Sequence, residues 1–254
     1  MLISRGYAAI ASPLCDTIKV QVFINDKDKV AIDLHWQIAP LVIRSPVEQE
    51  ALWSRAELMS FNNVPTLTLA TEDLLLFLCI HGCKFRHTWD KLIWVCDIAA
   101  LSQAHANINW DQLLQRAEKL DVERMLLLGL SLAHHLLDMA LPESIARRLQ
   151  TDTVVTQLTN DVRERIFQGT KAQEWPQQKL KRIAFDLRTR GHPRNWIPLC
   201  LYVIKSLLIP HDKDYSFISL PRSLSFLYYL IRPIRLGVKY SLSSLNKIKN
   251  KNAI

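Results

Sequence analysis

The sequence predicts an α+β protein in which a short N-terminal pair of antiparallel strands precedes a mainly helical body. Two segments near the N-terminus, Thr17–Phe23 and Lys29–Gln37, alternate apolar and polar residues around the polar turn Asn25–Asp28, and such alternation is typical of strands. From Thr71 onward the apolar residues recur at helical spacing. Only 6 glycines in 254 residues leave few tight hairpin turns, which also favours helix.

The predicted second strand has two different faces. Strand side chains alternate between faces, so Asp33 and His35 point the same way. The opposite face is apolar and consists of Val30, Ile32, Leu34 and Trp36. The polar face has two interpretations: the solvent side of a hairpin, or a carboxylate and an imidazole directed together at a cleft.

The body is predicted as a series of helices. A helix over Glu48–Met59 is followed by a loop at Asn62–Pro65, and Thr71 is predicted to cap the next helix, in which His81 continues an apolar stripe. Further helices are predicted at Trp89–Leu101, Asn109–Lys119, Val122–Met139, Pro142–Gln150, Thr156–Gln168, Gln177–Thr189, Trp196–Ile209 and Leu220–Tyr240. Asn109 or Asp111 is predicted to cap the second of these.

Charge is distributed unevenly along the chain. Residues 1–140 hold 12 Lys/Arg and 16 Asp/Glu, a net charge of −4, whereas residues 141–254 hold 20 Lys/Arg and 8 Asp/Glu, a net charge of +12. The basic half indicates an anionic partner, such as nucleotide, nucleic acid or a lipid surface, or else a solvated basic surface. A third interpretation is that several arginines tie the C-terminal helices to the acidic first half. Together with the strand pair, this change predicts three regions: 1–45, 46–140 and 141–254.

Several function classes find no support in the sequence. It contains no P-loop, GxGxxG, HExxH or GxSxG motif. Cys79 and Cys83 share a helix face from which His81 points away, which is not a usual zinc spacing. The 5 cysteines show no paired spacing and fit reduced thiols in the cytoplasm. No apolar run reaches the ~18 residues of a membrane span.

A succession of short strings is more specific. In chain order they are Ala31–Trp36 (AIDLHW), Glu50–Trp53 (EALW), Leu69–Leu76 (LATEDLLL), Ile80–Gly82 (IHG), Lys84–Leu101 (KFRHTWDKLIWVCDIAAL), Asn109–Asp111 (NWD), Leu220–Leu224 (LPRSL) and Tyr228–Pro233 (YYLIRP). In this order, from about Gly6-Tyr7 to Tyr240, the chain resembles a family of uncharacterised bacterial nucleotidyltransferases, related to the DNA polymerase β-like superfamily.

The resemblance implies transfer of a nucleotide from an NTP to an unknown acceptor, assisted by two Mg²⁺ ions about 4 Å apart that paired carboxylates hold. It makes Asp33 the third carboxylate of that site, a catalytic residue and metal ligand. His35 would face the same cleft, and His81 and Lys84 would contact phosphate or base. The alternative for His81 is a packing role, together with Trp89, Trp94 and Asp97, the last paired with His81, Lys84 or Arg86.

The sequence also departs from that family. A Lys-Gly segment and a D-x-D strand are expected upstream of the Gly-Tyr pair, which here is Gly6-Tyr7. Asp26-Lys27-Asp28 has the D-x-D letters but falls in the predicted turn. We therefore expect residues 1–45 to be the remnant of a nucleotidyltransferase sheet and the chain to be inactive alone. Three origins stay open: a truncated gene, the second half of a split gene whose N-terminal fragment is encoded upstream, or a mis-called start codon. The alternative is a non-catalytic module whose basic C-terminal half docks on an anionic partner.

Overall fold

A small antiparallel sheet stands at the N-terminal end of the chain, and the remainder is mainly helical, so the α+β prediction is confirmed. The computed structural model describes residues 1–10, 20–36, 46–84, 87–168, 175–193, 196–210, 218, 221–235 and 237. A 3₁₀ turn, Ile3–Arg5, precedes the first strand. The predicted strand ends Thr17–Lys19 and Gln37 lie outside the described residues, as does the C-terminal tail.

The sheet contains strands β1 (Ala8–Ile10), β2 (Val20–Asn25) and β3 (Val30–His35) in the order β1-β2-β3. Asp33 pairs with Val22 of β2. The turn between β2 and β3 is built by Asn25, whose Oδ1 accepts from the backbone N–H of Lys27 at 3.0 Å, an Asx-type turn. Asp26-Lys27-Asp28 lies in this turn, as predicted.

A second hairpin corrects the prediction for residues 55–68. Helix α1 (Pro46–Ser54) stops short of Met59, and strands β4 (Glu57–Phe61) and β5 (Val64–Thr68) pair in place of the predicted helix end and loop. Asn62 and Asn63 both have positive φ, 48° and 61°, as a two-residue hairpin turn requires. Large apolar side chains are exposed on both faces of this hairpin, so the sequence lacks the alternation that identifies a strand.

The helical body is organised around one buried helix. The helices are α2 (Thr71–Cys83), α3 (Ile93–Ala104), α4 (Trp110–Lys119), α5 (Glu123–Leu137), α6 (Glu143–Thr151), α7 (Thr153–Gln168) and α8 (Trp175–Thr189). Nine consecutive residues of α5, from Met125 to Ala133, are buried. This helix packs against α2, α3, α4, α6 and α7, so one apolar cluster joins them.

Helix starts follow the predicted signals in part. Asn109 caps α4, because its Oδ1 accepts from the backbone N–H of Gln112 at 3.0 Å. The predicted cap of α2, Thr71, is instead its first helical residue, and Ala70 precedes it without a side-chain cap. Helix α3 begins at Ile93 instead of Trp89, because residues 87–90 form a turn with positive φ at Thr88 and Trp89.

By packing, the chain divides into two compact units, Met1–Asn195 and Trp196–Ile254. The second unit contains helix α9 (Trp196–Leu208), a 3₁₀ segment (Arg222–Leu227) and helical residues 228–235. Within it, the Tyr228 hydroxyl donates to the Ile218 carbonyl at 2.8 Å. The division into 1–45, 46–140 and 141–254 stays a prediction. None of the helices in the described part is long and apolar enough to cross a membrane.

Candidate functional site

Electrostatic interactions connect the polar face of β3 with the C-terminal end of α2: Lys84 acts on Asp33 and His35, and His35 acts on His81, so all four predicted site residues lie in one region. Asp33 and His35 come from β3, and His81 and Lys84 come from α2 and its cap. Burial lowers the pKa of the Lys84 ammonium, and the nearby Asp33 carboxylate opposes that shift. Two elements about fifty residues apart in sequence thus place a carboxylate and an ammonium in mutual electrostatic reach.

Lys84 is held at the end of α2 by the residues one helical turn before it. Its backbone N–H donates to the His81 carbonyl at 3.2 Å. Its Nζ lies 3.4 Å from His81 Nδ1 and 5.4 Å from the centroid of the Phe77 ring. An ammonium has only donors, so Nδ1 of His81 is the acceptor and, in the neutral ring, the proton is on Nε2.

An aromatic cluster surrounds this contact. The ring of His81 lies 4.2 Å from His87, 5.7 Å from Phe77 and 5.8 Å from Trp94, measured between centroids. His87 Nδ1 donates to the His81 carbonyl at 2.9 Å, which leaves Nε2 of a neutral His87 as an acceptor. His81 therefore packs between α2 and α3 and also contacts the Lys84 ammonium.

The histidines of the cluster are held in their neutral form. Burial, with the positive charge of Lys84 next in effect, lowers the pKa of His81 to about 3. Burial likewise lowers the pKa of His87, and the hydrogen bond to His81 opposes this shift. At His35, which is exposed at the edge of the site, partial desolvation and Lys84 lower the pKa while Asp33 raises it. Near neutral pH the two histidines among the four site residues are therefore mainly neutral.

The turn that carries His87 depends on the contact between Gly82 and Trp89. The backbone N–H of Trp89 donates to the Gly82 carbonyl at 2.9 Å, and the fully buried indole donates from Nε1 to Cys83 Sγ at 3.3 Å. Burial raises the pKa of the Cys83 thiol to about 12, so this sulfur is an inert packing group. Cys79 and Cys83 are both free and fully buried.

The surroundings of Asp33 do not by themselves fit Mg²⁺. Magnesium prefers several oxygen ligands in octahedral geometry. Asp33 is exposed and pairs across the sheet with Val22, and the charged group that acts on it from α2 is a cation. Over the described ranges, no group of three or more His, Cys, Asp or Glu could hold a metal ion. Asp33 can supply one ligand of such a site.

Asp97 is exposed on α3, and in the described part of the chain neither His81 nor Lys84 forms an ion pair with it. Its pairing with Arg86 stays a prediction, because Arg86 lies outside that part. Phe77 and His87 are the members of the cluster that sequence reasoning did not place there. Phe77 stands four residues before His81 on α2, a spacing at which helical side chains meet. The sequence therefore contained enough information to predict the contact between Phe77 and His81.

The basic half uses several of its arginines inside the fold. Arg182 of α8 pairs with Asp90 in the turn before α3. Arg188 pairs with Asp161 at 2.9 Å, and Arg190 pairs with Asp186 at 2.9 Å. Arg165 donates to the Thr88 carbonyl at 2.6 Å. The prediction that arginines of the basic half tie their helices to the acidic first half is therefore confirmed for Arg182, whose partner is Asp90.

Comparison with known families gives one result. The family model for uncharacterised nucleotidyltransferases matches residues 1–138, which include the sheet, both hairpins and helices α1 to α5. The comparison with curated proteins found no match, and neither did the comparison with solved structures. The match covers more than half of the 254 residues and all four residues of the candidate site, so the chain belongs to the family of uncharacterised nucleotidyltransferases.

Proposed function

We propose that this chain takes part in transfer of a nucleotide from an NTP to an acceptor, with the NTP bound between β3 and the α2–α3 turn. The observation that carries the proposal is the convergence of Asp33 and His35 with His81 and Lys84, from elements far apart in sequence. An ammonium beside neutral imidazoles and aromatic rings suits a phosphate group and a base.

Each residue has a distinct proposed role. Lys84 binds a phosphate oxygen, because its ammonium is partly desolvated and therefore interacts strongly with an anion. His81 accepts from Lys84 Nζ at 3.4 Å and thereby orients the ammonium. His35 contacts the substrate as a neutral donor from the sheet side. Asp33 supplies one carboxylate of the catalytic centre.

We further propose that the reaction requires Mg²⁺, with Asp33 as one of its ligands. Because one exposed carboxylate beside a lysine does not hold this ion, the other carboxylates are assigned to a D-x-D strand outside the residues that the structure describes. Such a strand would pair beside the sheet. On this proposal the 254-residue chain alone does not transfer nucleotides.

Nucleotide binding tests the proposal directly. Calorimetric titration with ATP and GTP, with and without Mg²⁺, is expected to give saturable binding that Lys84→Ala weakens about tenfold or more, the loss of one charged hydrogen bond. Lys27→Ala is the matched control, because Lys27 is an exposed lysine in the turn of the same sheet. Equal losses in both variants would indicate non-specific charge attraction and contradict the proposed site.

Transfer itself is tested with α-labelled NTPs. The chain alone is expected to match a heat-denatured control, and addition of a polypeptide that carries the Lys-Gly and D-x-D segment is expected to restore incorporation. Asp33→Asn should abolish the restored activity. Transfer by the chain alone would show that the assignment of the remaining carboxylates is wrong.

A second candidate function is a non-catalytic module that binds an anionic partner through its basic half. The net charge of +12 over residues 141–254 supports it, although Arg182, Arg188 and Arg190 already have internal carboxylate partners. A salt series with RNA and with anionic vesicles separates the two functions. If the chain is such a module, its affinity for RNA or vesicles should fall about 10³-fold between 50 and 200 mM salt for six or more phosphate contacts. That affinity should not depend on Lys84.

A further inference from the structure

A pocket of about 100 Å³ lies on the side of α2 that faces α1 and α4. Its polar part is formed by Arg55, Asp73 and Arg116, with Glu48 and Lys119 also in the lining. Its apolar part is formed by side chains that include Leu52, Leu69, Leu76, Ile80 and Leu120. The pocket thus has a charged floor and an apolar wall, which is the composition of a small-ligand site.

The floor is a buried carboxylate held by two guanidinium groups. Arg55 donates to Asp73 through Nε at 2.7 Å and through Nη2 at 3.1 Å. Arg116 donates through Nη1 to Asp73 Oδ1 at 3.0 Å. The Asp73 side chain is only 2% exposed, whereas those of Arg55 and Arg116 are 35% and 19% exposed. The carboxylate is therefore enclosed while both arginines reach toward the opening.

The charges of the lining favour an anion. Arg55, Arg116 and Lys119 contribute +3 and Asp73 and Glu48 contribute −2, a net charge of +1. A guanidinium carries N–H donors in a planar fork that matches a carboxylate, and Asp73 engages one nitrogen of Arg116 and two of Arg55. The remaining N–H groups of the Arg55 and Arg116 guanidinium groups can donate to a second carboxylate.

We propose that this pocket binds a small monocarboxylate with a short branched apolar chain. The carboxylate would lie on the fork donors of Arg55 and Arg116, and the chain would pack on the leucines and Ile80. Size supports this class, because an apolar cavity of ~150 Å³ accommodates benzene, and a pocket of about 100 Å³ suits the smaller isobutyl group while the carboxylate lies on the two arginines.

One residue links the pocket to the candidate nucleotide site. Phe77 lines the pocket, and its ring lies 5.7 Å from His81 and 5.4 Å from Lys84 Nζ. A ligand in the pocket would therefore lie one side chain away from the proposed phosphate-binding ammonium. The proposal itself does not rest on nucleotide binding and is tested without nucleotide.

The test is calorimetric titration of the full chain with isovalerate, with acetate and isoamyl alcohol as comparison ligands. We expect saturable 1:1 binding of isovalerate, at least tenfold tighter than that of either comparison ligand. Ala51→Leu fills the pocket from α1 without changing the arginines and should weaken isovalerate binding at least tenfold. Ala100→Leu, at an exposed helical position outside the pocket, should bind as the wild type does.

Three results would overturn the proposal: no saturable binding of isovalerate, equally tight binding of isoamyl alcohol, or unchanged binding by a folded Ala51→Leu variant. The last result would place the ligand elsewhere. If Ala51→Leu fails to fold, Leu120→Phe narrows the same pocket from the end of α4 and replaces it in the comparison.

Discussion

The indole of Trp89 lies directly against Gly82, so closely that a β-carbon at residue 82 would be 2.5 Å from two atoms of the ring. The same two residues share a backbone hydrogen bond of 2.9 Å. This contact sets the path of the chain out of α2 and hence the position of His87. The indole of Trp89 can take this position only because residue 82 is a glycine and has no side chain.

Gly82→Ala is predicted to destabilise the fold. The added methyl group must displace a fully buried indole, and such overpacking costs about 1–3 kcal/mol, which outweighs the better helix propensity of alanine. The free energy of unfolding from urea titration measures the effect. Gly237→Ala is the control, because a β-carbon there meets nothing within 4 Å. Equal stability of the two variants would mean that the indole can move away at little cost.

Stability is predicted to rise with pH between about 3 and 6.5, partly because of His81. Its pKa is lowered from 6.5 to about 3 in the folded chain, so within this window the unfolded chain binds a proton that the native chain does not. The free energy of unfolding then increases with pH and levels off above the unfolded value.

His81→Gln should reduce that dependence, and urea titrations at several pH values measure it. His105→Gln, which changes an exposed histidine at the end of α3, is the control. A slope that is the same in His81→Gln as in the wild type would contradict the assignment.

Removing Arg190 alone is predicted to destabilise the fold more than removing both partners of the Arg190–Asp186 ion pair. Their side chains are 6% and 2% exposed, and burial raises the pKa of Asp186 although Arg190 opposes this shift. Arg190→Met should cost about 3–5 kcal/mol, because it leaves a buried carboxylate uncompensated. The double variant Arg190→Met/Asp186→Leu should recover much of that loss.

The pH dependence has a definite sign here. When the pKa of a carboxyl group is raised in the native state, the free energy of unfolding decreases as the pH rises through that pKa. Unfolding of Arg190→Met should therefore show a larger loss at pH 7 than near pH 4.5. A loss that is independent of pH would point to lost packing of the arginine stem instead.

The β4–β5 hairpin is predicted to tolerate polar substitution. Leu58 and Leu67 are cross-strand partners and are 72% and 62% exposed, so Leu58→Ser and Leu67→Ser should each change the free energy of unfolding by no more than about 0.5 kcal/mol. Leu128→Ala, at a fully buried position of α5, should cost about 2–5 kcal/mol. Similar losses at all three positions would mean that another surface covers the hairpin in solution.

Local signals in the sequence were sufficient for much of the fold. The Asn25 turn, the Asn109 cap and helices α4 to α9 each follow from residues within a few positions of one another. The β4–β5 hairpin was missed because its turn is Asn62-Asn63, without the glycine that usually marks such turns, and because apolar side chains occupy both faces.

The candidate site could be predicted as residue types but not as a geometry. Asp33 and His35 share a face by strand alternation, and His81 precedes Lys84 by one helical turn. That these two pairs come within electrostatic reach depends on where β3 lies relative to α2, which no local pattern specifies. The Asp73 network could not be predicted for the same reason, because its arginines are 18 and 43 residues away.

The central position of α5 has a consequence for synthesis of the protein. A β-carbon at Gly129 of this helix would lie 2.6 Å from Cys79 of α2 and 3.0 Å from Ile98 of α3, so both earlier helices bury their apolar faces on α5. A ribosome releases α2 and α3 first. Until residues 123–137 emerge, the nascent chain carries two helices whose main partner does not yet exist. During that interval the apolar faces of α2 and α3 are uncovered, and transiently exposed apolar surface of this kind is what makes nascent chains prone to aggregate.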